Sequence, residues 1–452
     1  MRISWAAVSA CFQLASVVAV PVKEQLAERA APLPPTEDPF YIPPTGLEAQ
    51  KPGTILRSRA IGPLSFGGAV PFQAKAAYQL LYRTTDSLNT PSAAVTTIII
   101  PQNANTSRVL SYQFAEDAAF ANCAPSYTIQ LGSNPLNFGS NGLETLFVIA
   151  ALDRGWVVNL PDYQGLQSAF TSGVQAGQAT LDSVRATLAS KSLTGVSPQA
   201  EYQMWGYSGG SIASEWAAEL QPSYAPELKF KGVAIGGVVP NITAVLGVVN
   251  KSLFAGLIPA GILGLSNAYP ELKTFVDQHL VPDKAADFNK ALTQCLGADI
   301  LTYANQDMFT YFDQGASTLN AAVAQSVLTS TGLMGTHGTP TMPMYAYQAV
   351  SDEIAPIADT DALVTKLCSQ GAQIEFVRDM LSEHATQEII GSGNAFRFLI
   401  DRFDGKPATS GCKTKTVLSA GLDGDGLASL GSIVGGALVA ILQKPVGPNT
   451  FG

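Results

Sequence analysis

From residue 95 onward the chain alternates short β-rich runs with stretches of helical spacing, and that alternation leaves few folds open. The runs are VTTIII (95–100), RVLSYQF (108–114), WVVNL (156–160), YQMWG (202–206), GVAIGG (232–237), PMYAYQA (343–349) and IEFVR (374–378). Between them lie segments such as SIASEWAAEL (211–220) and TDALVTKLCSQ (360–370), whose apolar positions recur at three- and four-residue steps. Strands that alternate with helices build a mostly parallel sheet covered on both faces, because each parallel connection needs a crossover long enough to hold a helix. With 452 residues, 46% of them hydrophobic and 13% charged, the chain has the apolar surface for such a core and the length for one large domain with insertions.

The alternation breaks between residues 241 and 336, where Leu/Ala/Gly-rich helical patterns run on without a convincing strand. This interval reads as an inserted helical cap, or lid, dividing the core into 32–240 and 337–412. Its sequence ITAVLGVVNKSLFAGLIPAGILGL is too apolar for a solvated loop, so it either packs on the main domain or faces an apolar ligand. The tail, 413–452, ends in LASLGSIVGGALVAILQKPVGPNTFG. It is short and glycine-broken for a membrane span, and polar and proline residues follow its apolar stretch, unlike a lipid-anchor signal. A packed terminal helix or flap is expected there.

At the other end, Arg2 precedes an apolar run that finishes in small residues near position 20, the pattern of a signal peptide. Residues 21–31 change to charge and proline and are left as a candidate pro-segment. Of the five cysteines, Cys11 falls in the signal, and the even set Cys123, Cys295, Cys368 and Cys412 fits two disulfides in an oxidising compartment. Sequons at Asn105, Asn241 and Asn250 fit the same secreted, extracellular route. The net charge of −9 argues against nucleic acid as a partner. Three scattered histidines and paired cysteines leave no plausible metal-ligand set, and no G-x-G-x-x-G follows a strand, so the chemistry should need no cofactor.

The sharpest local signal is Gly206-Tyr207-Ser208-Gly209-Gly210, a G-x-S-x-G pattern between the run YQMWG and the helical stretch SIASEWAAEL. A turn so tight needs small flanking residues, and it lifts the serine hydroxyl above the sheet edge beside a helix N-terminus. A serine hydroxyl needs a base to take its proton and an acid to hold that base. Of the three histidines, His279 lies in the insertion and His337 in a Gly/Thr/Pro loop, whereas His384 follows the run IEFVR, where a doubly wound sheet delivers its last site residue. The acid should follow an earlier strand, and SDEIAP offers Asp352 and Glu353. Asp352, nearer the strand end, is the choice, with Glu353, Asp359 and Asp361 read as loop or helix-start carboxylates. The amide of Gly209 is the natural first donor to an oxyanion, and the loop in SYQFAEDAAF places Asp117 as the second.

The order Ser208, Asp352, His384 is that of the α/β-hydrolases. SYQFAEDAAFANCAPSY (111–127), RGWVVNLPDYQG (154–165), TLDSVRA (180–186), WGYSGGS (205–211), SDEIAP (351–356) and SEHAT (382–386), taken in that order, resemble the fungal secretory lipase family. The resemblance implies an α/β-hydrolase core with an inserted helical lid, ester hydrolysis, and Ser208, Asp352 and His384 as the triad. It also implies Asp117 and Gly209 as oxyanion donors and disulfides joining Cys123 to Cys295 and Cys368 to Cys412. The expected partner is a small-molecule or lipid ester, met by transient contact with a lipid–water interface, with no stable protein partner. Within the family the substrate stays open between triacylglycerols and acetylated secondary metabolites such as trichothecenes. A non-catalytic binding protein on the same fold is the alternative from another class, and it normally lacks one of the three triad residues.

Overall fold

The computed structural model describes residues 31–137 and 141–448; the signal peptide expected over 1–20 and nearly all of the pro-segment at 21–31 lie outside them. The strands, in chain order, are β1 (Ile55–Ala60), β2 (Leu64–Phe66), β3 (Val70–Phe72), β4 (Ala76–Thr85), β5 (Pro91–Ile100), β6 (Asn105–Gln113), β7 (Trp156–Pro161), β8 (Glu201–Tyr207), β9 (Val233–Gly236), β10 (Met344–Ala349), β11 (Ile374–Asp379) and β12 (Lys413–Val417). Ten of them form one sheet in the order β1-β4-β5-β7-β6-β8-β9-β10-β11-β12, and β2 and β3 make a separate hairpin. Every pairing from β7 to β12 is parallel, while β1, β4 and β5 join antiparallel at one edge. The seven expected strands all lie within this sheet.

Six helices cover it: α1 (Asn141–Asp153), α2 (Gly173–Ala189), α3 (Gly209–Tyr224), α4 (Ile357–Ser369), α5 (His384–Phe403) and α6 (Gly424–Ile441). Apolar side chains of α2, α3 and α4 pack on one face of the sheet, and those of α1, α5 and α6 on the other. The central strands are buried on both faces, so β7 and β10 have every residue inside. That explains why their sequences are mostly apolar or aromatic on both faces, broken only by the buried, hydrogen-bonded Asn159 and Gln348.

Between β9 and β10 the described residues form helices and turns with two isolated antiparallel β-bridges, Asn241–Leu333 and Leu280–Phe312; the α-helices are Ile242–Val249, Leu257–Ala268, Pro270–His279, Pro282–Phe288, Leu296–Tyr303 and Ala322–Thr331. The insertion closes on itself at its stem, where the Ile242 amide donates to Gly332 O (2.9 Å) and the Met334 amide donates to Pro240 O (2.9 Å). The division expected at residue 412 needs correcting for the sheet. Lys413–Val417 is β12, paired with β11, and its Lys/Thr-rich, largely exposed pattern marks an edge strand rather than a flap. After it, α6 packs on α1 and α5, and Val446 returns to the core by exchanging backbone bonds with Gln73 and Gln102.

Candidate active site

At the carboxyl end of β8 the chain turns into α3 through Ser208, whose φ of 50° and ψ of −120° cost a side-chain-bearing residue of order 1–3 kcal/mol. Neighbouring glycines make the turn feasible. A Cβ at Gly206 would lie 2.1 Å from Gly210 O, and one at Gly210 would lie 2.0 Å from Gln113 O, so neither position accepts a side chain. The Ser208 amide donates to Gly236 O (3.0 Å), which pins the turn to β9.

The Ser208 hydroxyl lies 2.8 Å from His384 Nε2, and His384 Nδ1 lies 2.8 Å from Asp352 Oδ2. The three side chains picked out from the sequence therefore form one hydrogen-bonded chain. The Asp352 side chain is fully buried, and its other oxygen accepts from the amides of Ile354 (3.0 Å) and Ala355 (2.7 Å). Gln348 adds a bond to Asp352 Oδ2 (3.2 Å) and is itself held by Thr360. Burial opposes a positive charge on His384, but Asp352, with smaller contributions from Glu353 and Asp117, outweighs it and holds the imidazole above its ordinary titration range.

His384 is the first residue of α5. Glu353, read from sequence as an ordinary loop carboxylate, accepts the His384 backbone amide (2.6 Å) at that helix N-terminus, where a negative charge is favoured. Glu383 and Thr386 complete a reciprocal capping box around it. Tyr207 donates its hydroxyl to His384 O (2.7 Å), and Asp379 accepts the amides of Leu381 and Ser382 in the preceding loop. None of these supports was singled out from the sequence. Adjacency to the triad candidates was the only available signal for Tyr207 and Glu353, and nothing in the pattern marked Gln348 or Asp379.

Asp117 follows β6 in a left-handed conformation (φ 46°) and is buried against Gly209, where an added Cβ would lie 1.7 Å from Asp117 Oδ1. Burial pushes its carboxyl up to about 7, partly countered by the charge on His384. The loop is held from α1, because Glu144 accepts from the Tyr112 hydroxyl (3.0 Å) and the Ala115 amide (2.9 Å). The other two histidines are elsewhere: His279 pairs with Asp313 on the insertion, and His337 packs against Trp216 with the rings tilted by 49°. Among the described residues no three His, Cys, Asp or Glu side chains group as a metal site. Disulfides join Cys123 to Cys295 and Cys368 to Cys412. The first ties the segment after Asp117 to the insertion, the second α4 to the start of β12.

A serine on a strand–turn–helix elbow, an acid after a later strand and a histidine after the next, all at the carboxyl ends of a mostly parallel sheet, define an α/β-hydrolase. The chain belongs to the secretory lipase family, whose model matches residues 130–411. It is 46% identical to Lipase A of Arthroderma benhamiae, covering 93% of this chain and 90% of that one. It is 41% identical to Lipase 5 of Candida albicans, covering 84% of each. The fold superposes on Candida antarctica lipase A in its closed state with a TM-score of 0.81, 31% identity, and coverage of 93% of this chain and 99% of that one. With this membership the protein is a carboxylic ester hydrolase of the lipase and esterase class.

Proposed function

We propose that this enzyme is secreted and hydrolyses lipid esters through an acyl-enzyme on Ser208. His384 takes the Ser208 proton as the hydroxyl attacks the ester carbonyl, then gives it to the departing alcohol; a water activated by the same imidazole releases the acid. Asp352 fixes the imidazole with Nε2 toward the serine. The amides of Gly209 and Asp117 receive the oxyanion. The observation that carries this reading is the continuous Ser208–His384–Asp352 hydrogen-bonded chain.

The insertion supports an apolar acyl group. Gly237 lies against the His384 ring, and from there the chain runs into Ile242–Val249, whose Ile242 and Leu246 line an apolar cleft together with Ile262, Phe275, Phe309 and Leu328. The cleft is small, about 30 Å³, and a second reading, an esterase for short acyl groups such as acetyl, needs none of it. A series of chromogenic esters from acetyl to palmitoyl decides between them: turnover extending to long chains establishes the lipase, and turnover confined to acetyl establishes the deacetylase. Absence of any hydrolysis that depends on Ser208 overturns both. For the sequons, exposure favours Asn105 as a glycan site, whereas Asn241 caps a helix and Asn250 is bonded to Asp307 and Met308.

A further inference from the structure

The outward face of α6 has the wrong chemistry for water. From Gly426 to Gln443 there is no Asp, Glu, Lys or Arg, yet only 33% of the helix's apolar stretch is buried. Ile433, Ala437 and Ala440 point inward, toward α1 and α5. Leu427, Val434, Leu438 and Ile441 are exposed, and their spacing of seven, four and three residues puts them on one stripe. A solvated helix face ordinarily carries charge, and an exposed apolar patch of this extent marks an interaction surface.

The stripe continues into a second exposed group. Met380, Leu381, Leu418 and Leu422 are each more than half exposed. The Met380 amide donates to Val417 O (3.1 Å), so the loops after β11 and β12 lie side by side. Leu422 precedes Asp423, the N-cap of α6, and Leu381 lies three residues before His384. The two exposed apolar groups are therefore joined in sequence at the start of α6, and the loop group leads into His384.

We propose that this face docks the enzyme on an uncharged lipid–water interface, an inference that rests on the lipid-ester reading above. Charge complementarity selects the kind of lipid. Exposed carboxylates of Glu383 and Asp423 border the apolar groups, Asp425 is paired with Arg397, Lys444 follows the far end of the stripe, and the chain carries a net charge of −9. An anionic surface repels such a face, whereas a triacylglycerol or zwitterionic surface accepts its leucines without opposing charge. Position favours lipid over a second copy of the chain, because docking here brings the loop that carries His384 up to the substrate phase.

The test is partition of the full-length secreted protein onto triolein emulsions and phosphatidylcholine vesicles, with and without a third of phosphatidylglycerol. Wild type and Leu422→Glu/Leu438→Glu are compared alongside turnover of a dissolved short-chain ester. The expected result is roughly tenfold weaker partition for the double variant, with dissolved-ester turnover within about twofold, and weaker wild-type binding when anionic lipid is present. Unchanged turnover shows that the fold is intact; should it fall, the single variant Val434→Glu replaces the pair. Equal partition of wild type and variant overturns the proposal, as does a wild-type dimer that the substitutions make monomeric or a preference for anionic vesicles. If the wild type hydrolyses neither dissolved nor emulsified ester, the lipid-ester reading fails on that result, while the partition comparison still decides this one.

Discussion

Around His384 both ring nitrogens and both backbone polar atoms are bonded: Nδ1 to Asp352, Nε2 to Ser208, the amide to Glu353 and the carbonyl to Tyr207. The cleft inside the insertion is the reverse. Its wall is leucine, isoleucine, phenylalanine, valine and alanine, with Thr318 as the one polar side chain among the described residues. Hydrogen bonds are directional and fix atoms to within tenths of an ångström, whereas apolar contact scales with area and tolerates sliding. The difference teaches that directional bonds fix reacting groups while an apolar wall sets only shape and area; on the reading proposed above, reaction type lies with the first region and acyl range with the second, so a substitution in one should leave the other's property largely intact.

The strongest way to break that division is at the polar end. Ser208→Ala should lower kcat for a dissolved ester by about 10⁶, and Asp352→Asn by about 10⁴, with KM little changed, as read by steady-state kinetics. Glu353→Gln should cost far less than Asp352→Asn, since it touches the histidine's backbone rather than its ring; equal losses would make the pair a joint acid. Next in size is Gly209→Ala. Its methyl would meet Asp117 Oδ1 at 1.7 Å; with Gly209 and Asp117 as the proposed oxyanion donors, their displacement should lower kcat roughly 10² to 10³ while denaturant unfolding stays cooperative.

A substitution of Ile262 by Trp sharpens the comparison from the apolar side. Filling the cleft should lower turnover of a palmitoyl ester roughly tenfold relative to an acetyl ester, with acetyl turnover held. Smallest is the effect of charge on pH. With His384 as the proposed base, only its neutral form can take the proton, so kcat/KM should fall as pH drops through its pKa, and because Asp352, Glu353 and Asp117 raise that pKa, the acid limb should lie above the ordinary histidine range. Glu353→Gln removes a charge that favours the imidazolium and should move the limb to lower pH. Movement to higher pH would contradict the electrostatic account.

The legible parts of this molecule were those where one requirement dominates. Apolar β-runs such as WVVNL and PMYAYQA announce strands buried on both faces, and the elbow glycines announce a turn without room for side chains. Strand β4, AAYQLLYRTT, was not expected, because its buried Gln79 and Thr84 are satisfied by Ser126 O (2.6 Å) and Asp182 (2.7 Å), partners more than 40 residues away. β1 and β12 escape for another reason: as edge strands they carry the Arg, Lys and Thr that water permits. Choosing Asp352 over Glu353 was within reach because adjacent side chains diverge, but the use made of Glu353 depends on where α5 begins, which only the folded chain defines. Gln348 and Asp379 likewise act through contacts that no local pattern records.

The Cys123–Cys295 bridge has a mechanical consequence. The insertion is joined to the body through its two-stranded stem at Pro240–Ile242 and Gly332–Met334 and, at a separate place, through this covalent bond beside the loop that bears Asp117. A flap fastened at one edge can swing; one fastened at two cannot turn as a rigid plate. Any rearrangement of the insertion must then keep Cys295 beside Cys123, so the bond limits how far the helices near Cys295 can move from the loop that bears Asp117.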